Sequence, residues 1–276
     1  MITMKELMLK GTSETIRENL KKINFNSSYN NQNFKDWLVG FYEADGCFSI
    51  NNRGDLHFEL YQHSNDVDLL YKIKTFLQCG TVSTRKDRNI SVFHVYSMKQ
   101  FKTILYPIFN NKILSDYKFQ QFKKICDLAN LPAVKGNHSN PGWLIGFIDG
   151  DGSFFVSITE KQSSAVFSLG QKNQEILHII NNNYFDNSGK INGGDINKRI
   201  YYILRFSCKS LTWVNKFMLF PLLTRKRISY NKWLKIVEMI EKKEHLSALG
   251  KEKIIEIAKT INDQSKNKIE SDLLGN

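Results

Sequence analysis

The sequence predicts an α+β protein built from two similar halves, each with the order helix, hairpin, helix, hairpin, helix. Three observations lead to this fold class. A ten-residue motif occurs at residues 37–46 and again at 143–152, with six of its ten positions identical. After each copy, the spacing of apolar residues changes from helical to alternating, which is typical of a strand. Two further segments, 58–62 and 106–112, return at 167–171 and 220–226, so a fused duplication explains the chain.

The first half is predicted to begin with the motif helix, for which Asp36 is the predicted N-cap. Alternating residues around turn-forming residues predict two hairpins, and apolar residues at helical spacing predict the helices between and after them. The predicted elements are strands at 47–51 and 57–61, a helix at 66–77, strands at 81–85 and 91–97, and helices at 98–105 and 115–130.

The second half repeats this order after a loop rich in Pro, Gly and Asn. Its elements are the motif helix, strands at 153–161, 166–171, 190–193 and 199–207, and helices at 174–184, 209–220 and 229–244. The predicted division of the chain is an N-terminal extension at 1–30, a first half at 31–132, a linker at 133–141, a second half at 142–249, and a C-terminal helix and tail at 250–276.

Small residues four positions apart mark one face of each motif helix, where they allow two backbones to approach closely. They are Gly40 and Ala44 in one copy and Gly146 and Gly150 in the other. Each helix then ends in an acid, Asp45 or Asp151, although the helix dipole is negative there. A purely structural helix pair explains the small residues but not these acids. If the helices pack together, two carboxylates converge and a bound cation would compensate their charge.

The charge of the chain favours a polyanionic partner. It carries 39 basic and 27 acidic residues, a net charge of +12, with a pI near 9.4. Nucleic acid is favoured over a membrane, because no apolar run approaches the ~20 residues that span a bilayer. The four cysteines lie far apart and form no CxxC pair, so neither a disulfide framework nor a zinc ribbon is expected.

The motif and its repeat resemble the LAGLIDADG homing endonucleases, in the single-chain, two-motif form that group I introns encode. The resemblance covers roughly residues 35 to 250. It implies an αββαββα fold in each half, with the motif helices packed about a pseudo-twofold axis. Two four-stranded antiparallel sheets would form a saddle over DNA. Glu43 stands where the family motif has Asp, and the sequence leaves open whether it supports the sheet or the ion.

The resemblance implies a sequence-specific, Mg²⁺-dependent endonuclease that cuts both DNA strands, with two or more ions in its site. The implied catalytic residues are Asp45, Asp151, Gln62, Gln171, Lys112 and Lys226. The two aspartates would be the metal ligands, and the glutamines would orient water or the scissile phosphate. The lysines would polarise the water network or stabilise the leaving group. The alternative for the glutamines is a solvent-facing strand end, and for the lysines an ordinary position in a basic loop.

Strand parity predicts the DNA-binding surface, because polar residues alternate with the apolar residues that point inward. The predicted base-facing set is Ser49, Asn51, Arg53, His57, Glu59, Tyr61, Ser83, Arg85, Ser157, Thr159, Lys161, Ser168, Asn192, Tyr201 and Arg205. Basic residues at the hairpin tips are better suited to phosphates, which position a protein without specifying sequence. They are Lys86, Arg88, Lys198 and Arg199.

Because the halves differ at nearly every outward position, we expect a monomer on a long, asymmetric duplex. Two other functions stay open: an RNA-binding splicing maturase, alone or in addition, and a DNA-binding regulator without cleavage. The intact Asp45 and Asp151 disfavour the regulator. The many Asn, Lys, Ile, Phe and Tyr residues suggest an AT-rich coding sequence. Together with the resemblance, this implies a mitochondrial gene, with a chloroplast as the alternative.

Overall fold

The computed structural model describes residues 29–137, 140–159, 163–196 and 199–261. The first half opens with the motif helix and continues through two hairpins and their helices. Its elements are α1 (Asn31–Asp45), β1 (Gly46–Ile50), β2 (Leu56–His63), α2 (Val67–Leu77), β3 (Thr81–Arg85), β4 (Ile90–Val95), α3 (Met98–Gln100), a π-helical turn (Phe101–Leu105), α4 (Tyr106–Phe109) and α5 (Asp116–Ala129).

The second half repeats this order. Its elements are α6 (Pro141–Asp151), β5 (Gly152–Ile158), β6 (Ser163–Gln171), α7 (Gln174–Phe185), β7 (Lys190–Ile196), β8 (Arg199–Cys208), α8 (Leu211–Phe217), α9 (Lys226–Glu241) and α10 (Ala248–Ile261). None of the helices within the described ranges is long and apolar enough to cross a membrane.

The two sheets have the same topology, which confirms the predicted α+β class and the pseudo-symmetry. Each is four-stranded and antiparallel, in the orders β1-β2-β4-β3 and β5-β6-β8-β7. Phe48 lies opposite Phe58 on the buried face of the first sheet, and Phe154 opposite Phe167 on that of the second. Helices cover this face, while the other face carries the outward residues of the strands.

The halves meet through α1 and α6, whose backbones touch. A Cβ atom built on Gly40 would lie 1.9 Å from the carbonyl oxygen of Trp143, and one built on Gly146 would lie 1.9 Å from that of Trp37. Only a residue without a side chain fits at either point. The two contacts are reciprocal, which is the signature of a pseudo-twofold axis between the helices.

The start of α1 corrects one prediction. Asn30 is the N-cap, and its side chain accepts a hydrogen bond of 2.7 Å from the Asn33 N–H. Asp36 lies a turn further into the helix, only 5% exposed, and pairs with Lys112 Nζ at 2.6 Å. The predicted N-cap is therefore wrong, because Asn30 caps the helix six residues earlier and Asp36 has a partner from a distant loop.

The segment between the halves is held against the first half. Val134 exchanges hydrogen bonds with residues 110 and 111, at 2.8 and 2.9 Å. The Gly136 N–H donates to the Ile113 carbonyl oxygen at 2.9 Å. Asn140 then caps α6, with Pro141 in its first turn. Most of the predicted N-terminal extension and the end of the C-terminal tail lie outside the described residues.

Replacing Gly146 by Ala tests the backbone contact of the helix pair. In an exposed helix this change stabilises by about 1 kcal/mol, because Ala is the better helix former. Here the added methyl would collide with the Trp37 carbonyl, so we expect a loss of about 2–4 kcal/mol in the free energy of unfolding. Urea denaturation measures it, with Asn31→Ala at the exposed start of α1 as control. An unchanged or raised stability would refute the contact.

Candidate active site

Asp45 and Asp151 come together where the two motif helices end. Each is the last residue of its helix, α1 or α6. A Cβ atom built on Gly150 would lie 3.4 Å from Asp45 Oδ2, and only 2.2 Å from the Ala44 Cβ. The close packing of the helices therefore brings the carboxylate of the first half against the last turn of the second.

A glutamine from the second strand of each half binds each aspartate. Gln62, on β2, donates from Nε2 to Asp45 Oδ2 at 2.9 Å. Gln171, the last residue of β6, donates in the same way to Asp151 Oδ2. Four of the six residues predicted as catalytic therefore form two equivalent pairs, and a fifth, Lys226, lies beside them.

Glu43 supports a loop rather than the centre of the site. It is buried and accepts hydrogen bonds from the N–H groups of Leu114, at 3.0 Å, and Ser115, at 2.7 Å, just before α5. Its third partner crosses between the halves, since the indole of Trp143 donates to it at 2.7 Å. Burial raises the pKa of Glu43 to about 7, against the opposing effect of these hydrogen bonds.

Asp149 has the same role in the second half. It accepts from the N–H groups of Leu223, at 2.9 Å, and Thr224, at 3.0 Å, just before α9. The indole of Trp37 donates to it across the helix pair at 2.8 Å. The motif thus contains two acids with different roles. The earlier acid holds the start of a later helix of its own half, α5 or α9, and the tryptophan of the other half, whereas the last acid faces the shared centre.

Two lysines complete the centre. Lys226 donates from Nζ to the carbonyl oxygens of Gly150, at 2.6 Å, and Ile148, at 3.2 Å. Lys118, on α5, donates to the carbonyl oxygen of Gly46 at the corresponding end of α1. Both cations therefore lie at the negative ends of the helix dipoles, close to the aspartates. Burial lowers the pKa of both lysines, and the nearby carboxylates oppose that effect.

Lys112, the other predicted lysine, lies elsewhere. Its partner Asp36 is nine residues before Asp45 on α1, which is about 14 Å along the helix. The sequence prediction aligned Lys112 with Lys226 because each lies five residues after a proline, and these two lysines are 114 residues apart. The loop ends that the motif acids hold, Leu114 and Leu223, are only 109 apart. The first half therefore has five extra residues in this loop. The 109-residue offset places Lys226 opposite Tyr117, next to Lys118. Lys118 was missed because neither alignment pairs it with Lys226, and only its tertiary contact identifies it.

The two aspartates disfavour each other's ionisation. Burial and then the charge of Asp45 raise the pKa of Asp151 to about 7, although Lys226, Gln171 and Lys118 oppose the shift. Burial also raises the pKa of Asp45. A divalent cation would relieve this repulsion, and the donors are hard oxygen atoms of the kind that Mg²⁺ and Ca²⁺ prefer. The described residues contain no group of three His, Cys, Asp or Glu side chains suited to a metal. Carbonyl oxygens, water or phosphate would therefore complete the ligand set.

Most of the predicted DNA-facing residues lie on the open faces of the sheets or at their rims. Asn51 and Arg53 lie in the β1–β2 turn rather than on a strand, and Asn51 Oδ1 accepts from the Arg53 N–H at 2.8 Å. Ser168 has the predicted parity but is only 7% exposed, opposite Arg205 on β8. The half-buried or exposed members are Ser49, Asn51, Arg53, His57, Glu59, Tyr61, Ser83, Arg85, Lys86, Arg88, Ser157, Thr159, Asn192, Tyr201 and Arg205. Lys161, Lys198 and the side chain of Arg199 lie outside the described part of the chain.

An aromatic cluster surrounds Glu59 on the first sheet. Tyr61 donates from its hydroxyl to Glu59 at 2.6 Å, and Tyr96 does so at 3.4 Å. The ring of His94 stacks on Tyr96, with 4.7 Å between centroids. His94 and Tyr96 are additional residues of this surface that the sequence prediction missed. The alternation of β4 carries a signal for His94, because it lies opposite the outward residue Glu59.

Tyr201, on β8, lies close to the aspartate centre, within reach of the charge of Asp151. A Cβ atom built on Gly170 would lie 1.9 Å from the Tyr201 hydroxyl oxygen, so the phenol crosses the strand where a glycine leaves room, next to Gln171. Burial raises the pKa of Tyr201, and the charge of Asp151 adds to the effect.

The sequence matches the family described as LAGLIDADG endonuclease over residues 38–129 and 144–237, one match in each half. An uncharacterised cox1 intron-2 protein of 37.2 kDa from Schizosaccharomyces pombe is 29% identical over 270 residues, which is 90% of this chain and 81% of that protein. Probable intron-encoded endonuclease 4 from Neurospora crassa is 31% identical over 236 residues, 77% of this chain but 41% of the relative. The uncharacterised mitochondrial protein RF1 from Saccharomyces cerevisiae is 24% identical and covers 84% of this chain and 61% of its own.

Solved structures share the fold. That of the I-LtrWI LAGLIDADG homing endonuclease bound to target DNA is 20% identical, covers 85% of this chain and 99% of its own, and has a TM-score of 0.70. That of I-SmaMI bound to uncleaved DNA in the presence of calcium ions is 19% identical, covers 83% of this chain and 98% of its own, and has a TM-score of 0.61. The family match and the relative named as an intron-encoded endonuclease favour DNA cleavage over the splicing alternative.

The raised pKa of Asp151 predicts how stability changes with pH. Between its ordinary value of 3.8 and about 7, the folded protein holds a proton that the unfolded chain has lost. The stability of the metal-free protein therefore falls as pH rises through this window, by up to about 4 kcal/mol. We expect Asp151→Asn to raise the free energy of unfolding in EDTA much more at pH 8 than at pH 5. Urea titrations at both values measure the difference.

Asp68→Asn, on an exposed position of α2, is the control for that comparison and should give no such trend. A stabilisation by Asp151→Asn that was equal at both pH values would mean that Asp151 ionises normally in the fold.

Proposed function

This chain belongs to the LAGLIDADG endonuclease family, and we propose that it cuts both strands of a long, asymmetric DNA site in a sequence-specific, Mg²⁺-dependent reaction, acting as a monomer. The composite centre carries the proposal. Asp45 and Asp151 converge at the joined helix ends, each with its own glutamine, and two lysines lie beside them. Two equivalent half-centres suit a duplex with two strands to cut.

The residues of the centre divide the work of phosphodiester hydrolysis. Bound Mg²⁺ would neutralise phosphate charge and activate the attacking water. Asp45 and Asp151 supply the carboxylate oxygens that hold the cations. Gln62 fixes Asp45 through Oδ2, which leaves Oδ1 available as a ligand, and Gln171 does the same for Asp151. The side-chain oxygen of each glutamine can orient a water molecule.

Lys118 and Lys226 supply positive charge at the point where the scissile phosphates would lie. Their lowered pKa also makes them better proton donors to a leaving oxygen than ordinary lysines. Above the centre, the open sheet faces offer side chains at the two-residue spacing that reads a major groove. The differences between the halves on these faces support an asymmetric target, and the formal charge of +12 supports binding to the phosphate backbone.

Encoding by a mitochondrial intron is part of the proposal. It is supported by relatives whose names describe intron-encoded endonucleases and a mitochondrial protein, and by the AT-rich character of the composition. The sequence formed by joining the flanking exons is then the natural target.

The test is cleavage of a supercoiled plasmid that carries this joined sequence. We expect linear product with Mg²⁺ and none with EDTA. Asp45→Asn and Asp151→Asn should each lower the rate by about 100-fold or more, because a lost ligand removes several kcal/mol of charge stabilisation. Asp68→Asn should cut normally. If wild type and both variants bind the duplex but are equally inert, the endonuclease proposal fails.

The two lysines of the first half should separate chemistry from stability. Lys118→Ala should lower kcat by about 10- to 100-fold under conditions in which the variant stays folded. Lys112→Ala should leave kcat within about twofold, but should destabilise the fold by about 1–3 kcal/mol because Asp36 would stay buried without its cation. Single-turnover cleavage and thermal unfolding give the two quantities. The opposite pattern would restore Lys112 as the partner of Lys226.

A further inference from the structure

Two contacts related by the pseudo-twofold axis join each half to a helix of the other. Asp66 precedes α2 in the first half, and its Oδ1 accepts from the Arg225 N–H at 2.8 Å, at the start of α9. Glu175 lies in the first turn of α7 in the second half, and its Oε2 accepts from the Asp116 N–H at 3.1 Å, at the start of α5. Donors and acceptors are each 109 residues apart, the same offset that relates the loop ends before these helices.

Each acid is connected through a short segment to a glutamine of the centre. Asp66 lies four residues after Gln62, through one 3₁₀ turn. Glu175 lies four residues after Gln171, and Asn173 between them caps α7 by accepting from the Glu175 N–H. The position of either acid is therefore fixed relative to the glutamine that binds Asp45 or Asp151.

The donors are connected to the lysines of the centre in the same way. Arg225 immediately precedes Lys226, and Asp116 lies two residues before Lys118 on the same first helical turn. Helix starts carry N–H groups without partners inside the helix, and a carboxylate is favoured there by the dipole. Arg225 is the N-cap of α9 and makes no side-chain cap bond, and the acceptor for its N–H is Asp66 of the other half.

The two contacts differ in their surroundings. In the first, the positive charge of the Arg225 side chain favours the ionised form of Asp66 and so lowers its pKa, against the larger effect of burial. In the second, the cation comes from the segment between the halves: Lys135 donates to Asp116 and, at 3.2 Å, to Glu175. In both contacts, one positive charge lies near the carboxylate that accepts the hydrogen bond from the other half.

We infer that Asp66 and Glu175 are positioning residues, each of which holds the lysine-bearing helix of the opposite half in register with the glutamine of its own half. Each half-centre is then assembled from both repeats, and the rate of one strand cut depends on one of the two contacts. The strand-cleavage consequence rests on the proposed endonuclease function, whereas the contact across the halves does not.

Hydrogen–deuterium exchange in the full-length, metal-free protein tests the contact without any cleavage. Asp66→Ala should speed exchange at the start of α9, in the other half, by about fivefold or more. Glu175→Ala should do the same at the start of α5. Asp68→Ala, one residue into α2, should change neither. Faster exchange confined to the helix that carries the mutation would overturn the inference.

Strand-resolved cleavage tests the consequence. With each strand end-labelled in turn, Asp66→Ala should slow one strand about tenfold more than the other, and Glu175→Ala should show the opposite bias. Asp66→Asn keeps an acceptor oxygen and should recover most of the rate that Asp66→Ala loses. This variant also keeps the test valid if Asp66→Ala folds poorly. A merely structural role would lower stability and leave the ratio of the two strand rates unchanged, and that result would overturn the positioning role. An inert wild type that still shows the crossed exchange pattern would instead refute the endonuclease proposal alone.

Discussion

The backbone contact between α1 and α6 is the constraint on which the rest of the structure depends. Gly40 and Gly146 each leave room only for a carbonyl oxygen of the opposite helix, so the helices cannot separate or rotate without losing the contact. Fixing the helices at this distance also fixes their C-terminal ends together. Asp45 and Asp151 then share one small volume, where burial and their mutual charge disfavour ionisation. The packing that joins the halves is thus the cause of the repulsion between the two buried carboxylates.

Two lysines of the chain offset part of this repulsion. Lys118 and Lys226 donate to carbonyl oxygens at the helix ends, where positive charge is favoured by the dipoles as well as by the aspartates. Two lysines opposite two carboxylates balance the formal charge, yet the pKa of Asp151 stays near 7. Burial is the largest cause of that shift, so the two lysines offset only part of it. In the proposed reaction, a divalent cation bound between the carboxylates and a DNA phosphate would offset the remaining repulsion.

Patterns of local origin were predictable from the sequence. The repeated motif, the strand parity around Tyr61 and Arg205, and the glutamines at the ends of β2 and β6 follow from periodicity and repetition. Features set by distant contacts were not. The pairing of Asp36 with Lys112 and the contact of Lys118 with the end of α1 depend on groups far away in sequence, whereas the helix start at Asn30 is a local cap that the sequence prediction placed six residues too late. Lys118 is the clearest case: a five-residue difference in one loop misaligned the halves, and even the 109-residue offset places Lys226 opposite Tyr117 rather than Lys118.

The constraints between the halves leave their DNA-facing surfaces free to diverge. The helix contact, the crossed tryptophan–acid bonds and the two contacts at the starts of α5 and α9 all involve residues of the helices and loops, not the outward side chains of the strands. Substituting an outward strand residue therefore disturbs none of them. The duplication can keep one strict geometry at the centre while its two sheets acquire different side chains. Because the open faces of this chain already differ at nearly every equivalent position, one chain carries two distinct surfaces, which is what the proposed asymmetric target requires.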